Sequence, residues 1–325
     1  MSDDPLFLVA DVGGTNTRVA MARGRIIQTD TIRRYRNRDF ADLAPVLKTY
    51  CETAGGPAPV GACVAVAGPV ADGVARLTNL DWSIDRARLL DATGAAGGDI
   101  LNDLQAQGHA LGHLPPGACE TVIAGDRPAA GAVRLVIGVG TGFNAAPVHV
   151  TPTGRVVPPC EAGHATLPVR TEADLRLATF VSTAHGFPAV EDVLSGRGLE
   201  QLYRWLATEA GSDDVFLAAE IMARTETDPR ARATVTQFVR LLGTVAGDLA
   251  LIHLPFGGVY LVGGVARAMG QHLCALGFPD AFRDKGRFAG FLSQFPVHLV
   301  ADDFAALTGC AAFLSERSGL EPPDR

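Results

Sequence analysis

Apolar residues run almost unbroken from position 6 to 12 and stop at Gly13-Gly14; a second run covers 17–22, then Arg23-Gly24-Arg25 turns the chain into 26–31. Runs this short, bounded by glycine, read as strand, glycine turn, strand, hairpin, strand. The same order returns later. Positions 133–139 are apolar, Gly140-Thr141-Gly142 turns, 143–150 continues, and Pro152-Thr153-Gly154 leads into 155–157. Two copies of one supersecondary pattern predict a duplicated core, with two similar domains facing each other across a cleft.

Between the copies, 41–53 carries helical spacing, 61–67 reads as a buried strand, and 99–111 begins as a strand end that turns helical at Leu104. Beyond the second copy, 190–209 and 231–254 are predicted helices, broken by Gly211-Ser212-Asp213 and Pro255-Phe256-Gly257-Gly258. A strand at 259–262 ends at Gly263-Gly264, a last helix spans 309–315, and 319–325 is expected to fray.

Composition narrows the class. At 325 residues the chain exceeds what one hydrophobic core usually fills, so two domains are expected. It is 47% hydrophobic and 19% charged, with 37 Gly and 20 Pro, which indicates globular, loop-rich α/β material. A formal charge of −7 opposes nucleic-acid binding, which calls for a basic excess. Any anionic ligand must be held by local geometry. Six cysteines are dispersed without a C-x-x-C pair, so no metal site is expected, and reduced thiols suit a cytoplasmic location. The acidic start, Met1-Ser2-Asp3-Asp4-Pro5, and the short run that follows fit neither a signal peptide nor a membrane span.

Consecutive backbone N–H groups at Asp11-Val12-Gly13-Gly14-Thr15-Asn16 can cradle phosphate, because missing side chains let its oxygens approach. Asp11, at the mouth of the turn, suits hydrated Mg²⁺. A plain hairpin explains two glycines equally well. The second turn, Gly140-Thr141-Gly142, favours a pair of phosphate contacts, although neither turn has the Gly-Lys-Ser/Thr of a Walker loop. Gly263-Gly264 offers a flat backbone for a base, or merely a strand-to-helix turn. Asn102-Asp103 falls where a strand becomes a helix, a place that suits capping as well as chemistry. Glu161-Ala162-Gly163-His164 and Glu191 bring carboxylates and an imidazole that can pair with the hydroxyls of a polyhydroxy ligand.

These residues together resemble the bacterial glucokinases of the hexokinase and actin-like ATPase superfamily, in the group without the zinc-binding cysteine motif. The resemblance runs nearly end to end. It is carried by 11–18, Leu77-Thr78-Asn79-Leu80-Asp81-Trp82, Asn102-Asp103, Gly140-Thr141-Gly142, Glu161 to His164, Glu191 with 193–196, Gly263-Gly264 and 284–288. It implies a two-domain actin-like ATPase (ribonuclease H-like) α/β fold, with residues 1–113 plus 304–325 as the small domain and 114–303 as the large one. It also implies ATP and Mg²⁺ as cofactors, glucose as the hexose partner, and a homodimer. In that likeness Asp103 is the catalytic base, and Asn79, Asn102, Asp103, Glu161, His164 and Glu191 line the sugar pocket. Asp11, Gly13, Gly14, Thr15, Asn16, Gly140, Thr141 and Gly142 bind the cofactors, the glycine turns holding the phosphates, and Gly263 and Gly264 lie near the adenosine. Departures from the pattern, Phe143 to Pro147 and Ala165-Thr166, touch the surroundings of the pocket.

A sugar-sensing regulator and a chaperone-like ATPase share that fold. The first normally needs an added DNA-binding segment, and the first predicted strand begins near Leu6. The second has no use for Glu161, His164 and Glu191. Sugar-dependent ATP consumption separates the three.

Overall fold

The computed structural model describes residues 4–71, 73–77 and 80–317, so Asn79 and the predicted tail lie outside the described residues. The chain divides into two compact units. The first comprises Met1–Pro116, Val150–Pro159 and Asp302–Arg325, and the second Gly117–His149 and Cys160–Ala301.

The strands of the first unit are β1 (Leu6–Val12), β2 (Asn16–Arg23), β3 (Ile26–Ile27), β4 (Arg33–Arg36) and β5 (Gly61–Val66), then a small sheet of β6 (Val70–Ala71), β7 (Val74–Arg76) and β8 (Ser83–Asp85), then β9 (Gly97–Asn102). Its helices are α1 (Leu43–Ala54), α2 (Arg86–Thr93) and α3 (Asp103–Ala110), joined by the last helix of the chain, Ala305–Arg317. The main sheet runs β3-β2-β1-β5-β9, antiparallel at β1/β2 and parallel at β1/β5 and β5/β9.

Strand alternation sends successive residues to opposite faces. Leu8, Ala10, Val12 and Val19 meet Leu43, Leu47 and Tyr50 of α1, while Phe7, Val9, Ala20 and Ala22 meet Leu307, Cys310 and Leu314 of the last helix. Both faces are covered, which is why β1 reads as a continuous apolar run rather than an alternating one.

The second unit contains β10 (Cys119–Ile123), β11 (Arg134–Val139) and β12 (Phe143–Thr151). Beyond His149, β12 forms a hairpin with β13 (Gly154–Val156), and this hairpin packs with the first unit. Then come α4 (Glu172–Ser182), α5 (Gly196–Glu209), α6 (Ala218–Arg224), α7 (Pro229–His253), β14 (Val259–Val262), α8 (Gly264–Leu273), α9 (Phe278–Arg283), α10 (Ala289–Leu292) and β15 (Val297–Val300); the final helix is α11. The sheet order β10-β15-β14-β11-β12-β13 repeats the connectivity of the first unit, so the recurrent glycine-turn pattern does mark a duplicated fold. Leu135, Ile137, Val259 and Leu261 pack beneath Leu202, Phe238, Leu242 and Phe282. α7 starts where Asp228 accepts the Arg230 N–H at 2.8 Å and Pro229 supplies a fixed φ.

Two predicted elements differ from the observed ones for visible reasons. The strand expected over 26–31 stops at Ile27, because the Thr31 hydroxyl donates to the Gln28 carbonyl at 2.6 Å and accepts the Met21 N–H at 2.9 Å, replacing the ladder by a 3₁₀ turn at Thr29–Thr31. The helix expected over 190–209 begins only at Gly196. Ser195 caps it through the Gly198 N–H at 3.0 Å, leaving Val190–Asp192 as a separate 3₁₀ turn.

α3 and α11 approach so closely that a Cβ on Gly309 would lie 1.7 Å from the Ala106 carbonyl oxygen. Only glycine fits. Gly309→Ala is expected to force the helices apart and cost about 1–3 kcal/mol or more, read as a lowered denaturant midpoint. An unchanged midpoint would show that the contact has slack.

Candidate active site

In the first unit, parallel pairing aligns Val12 with Val66 and Val66 with Asn102. The glycine turn after β1 and the Asn102-Asp103 step after β9 therefore emerge from the same end of the sheet, two strands apart, about 10 Å. Carboxyl ends of parallel strands are where open α/β sheets bind ligands.

The first glycine turn is closed by the Gly13 N–H donating to the Asn16 carbonyl at 3.0 Å. Its outer support is Asn37, which sequence reasoning missed. Asn37 is buried, donates from Nδ2 to the Gly13 carbonyl at 2.7 Å, donates its N–H to the Thr15 carbonyl at 2.9 Å, and accepts the Thr17 hydroxyl at 2.9 Å. No periodicity marks it, because it sits in an arginine-rich stretch that reads as surface. Gly14 and Thr15 remain exposed. Asp11 is half-buried beside Arg18 at 3.3 Å; burial pushes its carboxyl up, and the guanidinium opposes that.

Asn102 does cap α3: its Oδ1 accepts the Leu104 N–H at 2.9 Å, and its amide donates to the Gly68 carbonyl at 3.0 Å. Asp103 is the first residue of α3, half-buried, with Oδ1 accepting the Leu104 N–H at 2.8 Å. Capping holds the turn that presents it.

The second unit repeats this plan. Gly138 pairs with Val262, so the turn after β11 and Gly263-Gly264 after β14 also leave one end of their sheet. The Gly140 N–H donates to the Gly142 carbonyl at 2.9 Å, and the Gly196 N–H, at the start of α5, donates to the Gly140 carbonyl at 2.9 Å. Thr141 is exposed on this turn. Glu191 accepts the Phe143 N–H at 2.8 Å, which docks its 3₁₀ turn against the glycine turn. Gly163 completes the corner: a Cβ there would lie 2.1 Å from the Phe143 carbonyl oxygen. That approach brings the Ala162–His164 turn alongside, and Asn144 holds it by accepting the Ala162 N–H at 2.9 Å. Glu161 and His164 leave this turn with exposed side chains, and Glu191 is half-buried.

Glu161, His164, Glu191 and Gly140 to Gly142 are thereby gathered into one corner of the second unit. The Phe143 side chain turns into the core.

Comparison with known proteins identifies the family. The glucokinase family model matches residues 8–317. The glucokinase of Saccharophagus degradans is 31% identical over 316 residues, covering 95% of this chain and 98% of the relative; that of Sinorhizobium fredii is 34% identical over 310 residues, covering 94% and 91%. The crystal structure of a glucokinase from an Antarctic psychrotroph superposes with a TM-score of 0.84 at 32% identity, covering 95% of this chain and 98% of the other. A match that begins in β1 and ends in α11 takes in both glycine turns, the Asn102-Asp103 cap and the Glu161–Glu191 corner, and on that ground the chain belongs to the glucokinase family.

Proposed function

We propose that the protein transfers the γ-phosphoryl group of ATP to the 6-hydroxyl of glucose, yielding glucose 6-phosphate and ADP. The observation that carries this reading is the family match over 8–317 together with a carboxylate, Asp103, presented at the first turn of a capped helix at the carboxyl end of β9. Phosphoryl transfer asks the protein mainly for alignment and charge neutralisation. Asp103 orients the sugar hydroxyl and accepts its proton. Glu161, His164 and Glu191, with Asn79 and Asn102, pair with the remaining hydroxyls. The N–H groups at Gly13 to Asn16 and Gly140 to Gly142 hold phosphate oxygens, and Gly263-Gly264 takes the adenosine side.

Mg²⁺ fits the residues present. It usually keeps several waters and needs one or two carboxylates beside the phosphates, and Asp11, half-buried at the mouth of the glycine turn, offers one. When bound with the nucleotide, the ion supplies charge neutralisation. The same reading places the enzyme in the cytoplasm as a homodimer, supported by the family likeness.

The test is ADP release with Mg·ATP across a panel of hexoses and deoxy sugars. Glucose is expected to be turned over, and EDTA to stop turnover until Mg²⁺ is returned. Alanine at Glu161, His164 or Glu191 is expected to raise the glucose KM about 10–100-fold, the worth of a charged hydrogen bond, with the ATP KM nearly unchanged. Equal rates on glucose and its 2-, 3- and 4-deoxy analogues would contradict a hydroxyl-reading pocket.

A further inference from the structure

Gln105 lies two residues beyond Asp103 in the first turn of α3 and uses both ends of its side chain. Its Oε1 accepts the Asn102 N–H at 3.1 Å, and its Nε2 donates to the Val157 carbonyl at 2.9 Å. The first bond is half of an ordinary capping box, which Glu or Gln serves equally. Capping has no need of the second.

Val157 is a firm anchor. It is buried, and it follows β13, whose Arg155 is clamped to Glu316 of α11 by a backbone N–H bond of 2.8 Å and by a guanidinium–carboxylate pair. Around this point a cavity of about 310 Å³, lined by Gln105, His109, Thr151, Arg155 and Glu316, opens between α3 and the hairpin. Close packing does not fill this space; the amide link ties the first turn of α3 to the hairpin, and the contacts of His113 with Arg155 and Glu316 tie the chain just past its end.

We propose that Gln105 is a positioning residue for phosphoryl transfer: by tying the Asn102-Asp103 turn to the 154–157 hairpin, it fixes where the Asp103 carboxylate meets the sugar hydroxyl. The inference rests on Asp103 acting as the base. A reacting group displaced by about 1 Å can lose 10²-fold in rate, so a tether one residue pair away carries catalytic weight without touching substrate.

Gln105→Glu tests this directly, because it keeps the acceptor for the Asn102 N–H and replaces the donor facing Val157 with a carboxylate. The expected result at pH 8 is a fall in kcat of about 10-fold, with the ATP KM and the melting temperature close to wild type. Protonation restores a donor, so the ratio of variant to wild-type kcat should climb as pH is lowered from about 8 to about 4.5, where a carboxyl of ordinary value near 4.3 is about 40% protonated. The charged groups facing this side chain are Asp103 and His109 on α3, Arg155 on the hairpin, and Glu316 and Arg317 on α11, and Gln105→Met, which adds no charge, controls for their own titration. Gln105→Met, lacking both bonds, should lose kcat at every pH without recovery. Wild-type kcat in Gln105→Glu at all pH values, or a loss in Gln105→Met confined to stability, overturns the proposal. Asp103→Asn measured in the same series separates the two readings. If it is inactive while Gln105→Glu is normal, only the Gln105 role falls; if it is itself near normal, the base assignment falls.

Discussion

Asp103→Asn is expected to lower kcat by about 10²–10⁴, the usual worth of a positioned general base, while glucose binding stays close to wild type. The amide can still hydrogen-bond the sugar hydroxyl, and it is a very weak base. It can also still accept the Leu104 N–H that Asp103 Oδ1 now accepts at 2.8 Å, so the start of α3 should survive the change. The measurement is turnover beside glucose binding by calorimetry on the folded variant. Near-normal kcat would remove Asp103 from the base role, and loss of glucose binding would recast it as a binding residue.

Acid sensitivity is the second large effect, and it originates away from the chemistry, at His109 on α3. Burial, opposed by Glu316 and reinforced by Arg155, Arg317 and His113, lowers its imidazole from the usual 6.5 to about 4. The ring packs edge-on to Phe313 with centroids 5.0 Å apart, and Nδ1 has no hydrogen-bond partner among the described residues. Below pH 6.5 the unfolded chain takes up a proton that the folded one refuses, so this part of the stability is whole above 6.5 and drains away down to about 4. At about 1.4 kcal/mol per pH unit, the loss amounts to about 3 kcal/mol. Glu316 acts in a lower window. Burial would raise it, but the bonds from His113 and Arg155 and the nearby positive charge bring it down to about 2, and its contribution disappears as pH falls from 4.5 toward that value. Urea midpoints for wild type and His109→Gln between pH 7.5 and 4.5 check the histidine. Wild type should weaken steeply and the variant much less; parallel curves would assign the acid sensitivity to other groups.

Much of the architecture could be read from the chain because its signals are local. β1 was legible as an apolar run cut off by Gly13-Gly14, and β11 as the same figure ended by Gly140-Thr141-Gly142, since a strand covered on both faces needs apolar residues throughout and a tight turn needs glycine. α7, expected over 231–254, was legible to within two residues through its helical periodicity and the Pro255-Phe256-Gly257-Gly258 break. The smaller elements were not. β6 to β8, α8 and α9 are too short for periodicity to stand above background, and the Thr31 hydroxyl ended β3 through a bond that no spacing reveals.

The candidate site divides along the same line. Residue identity determined the chemistry on offer: the carboxylates, the imidazole, the two glycine turns, and their order along the chain. Tertiary structure decided which of these meet. Register between parallel strands put Val12 level with Asn102, and the absent Cβ at Gly163 let the Glu161–His164 turn close on Phe143 and Glu191. It also recruited Asn37 and Gln105, polar residues that reach partners 24 and 52 positions away along the chain. Local sequence encodes backbone preference and side-chain chemistry, whereas a hydrogen bond across such separations exists only after the sheet has aligned its strands and the helices have packed on it.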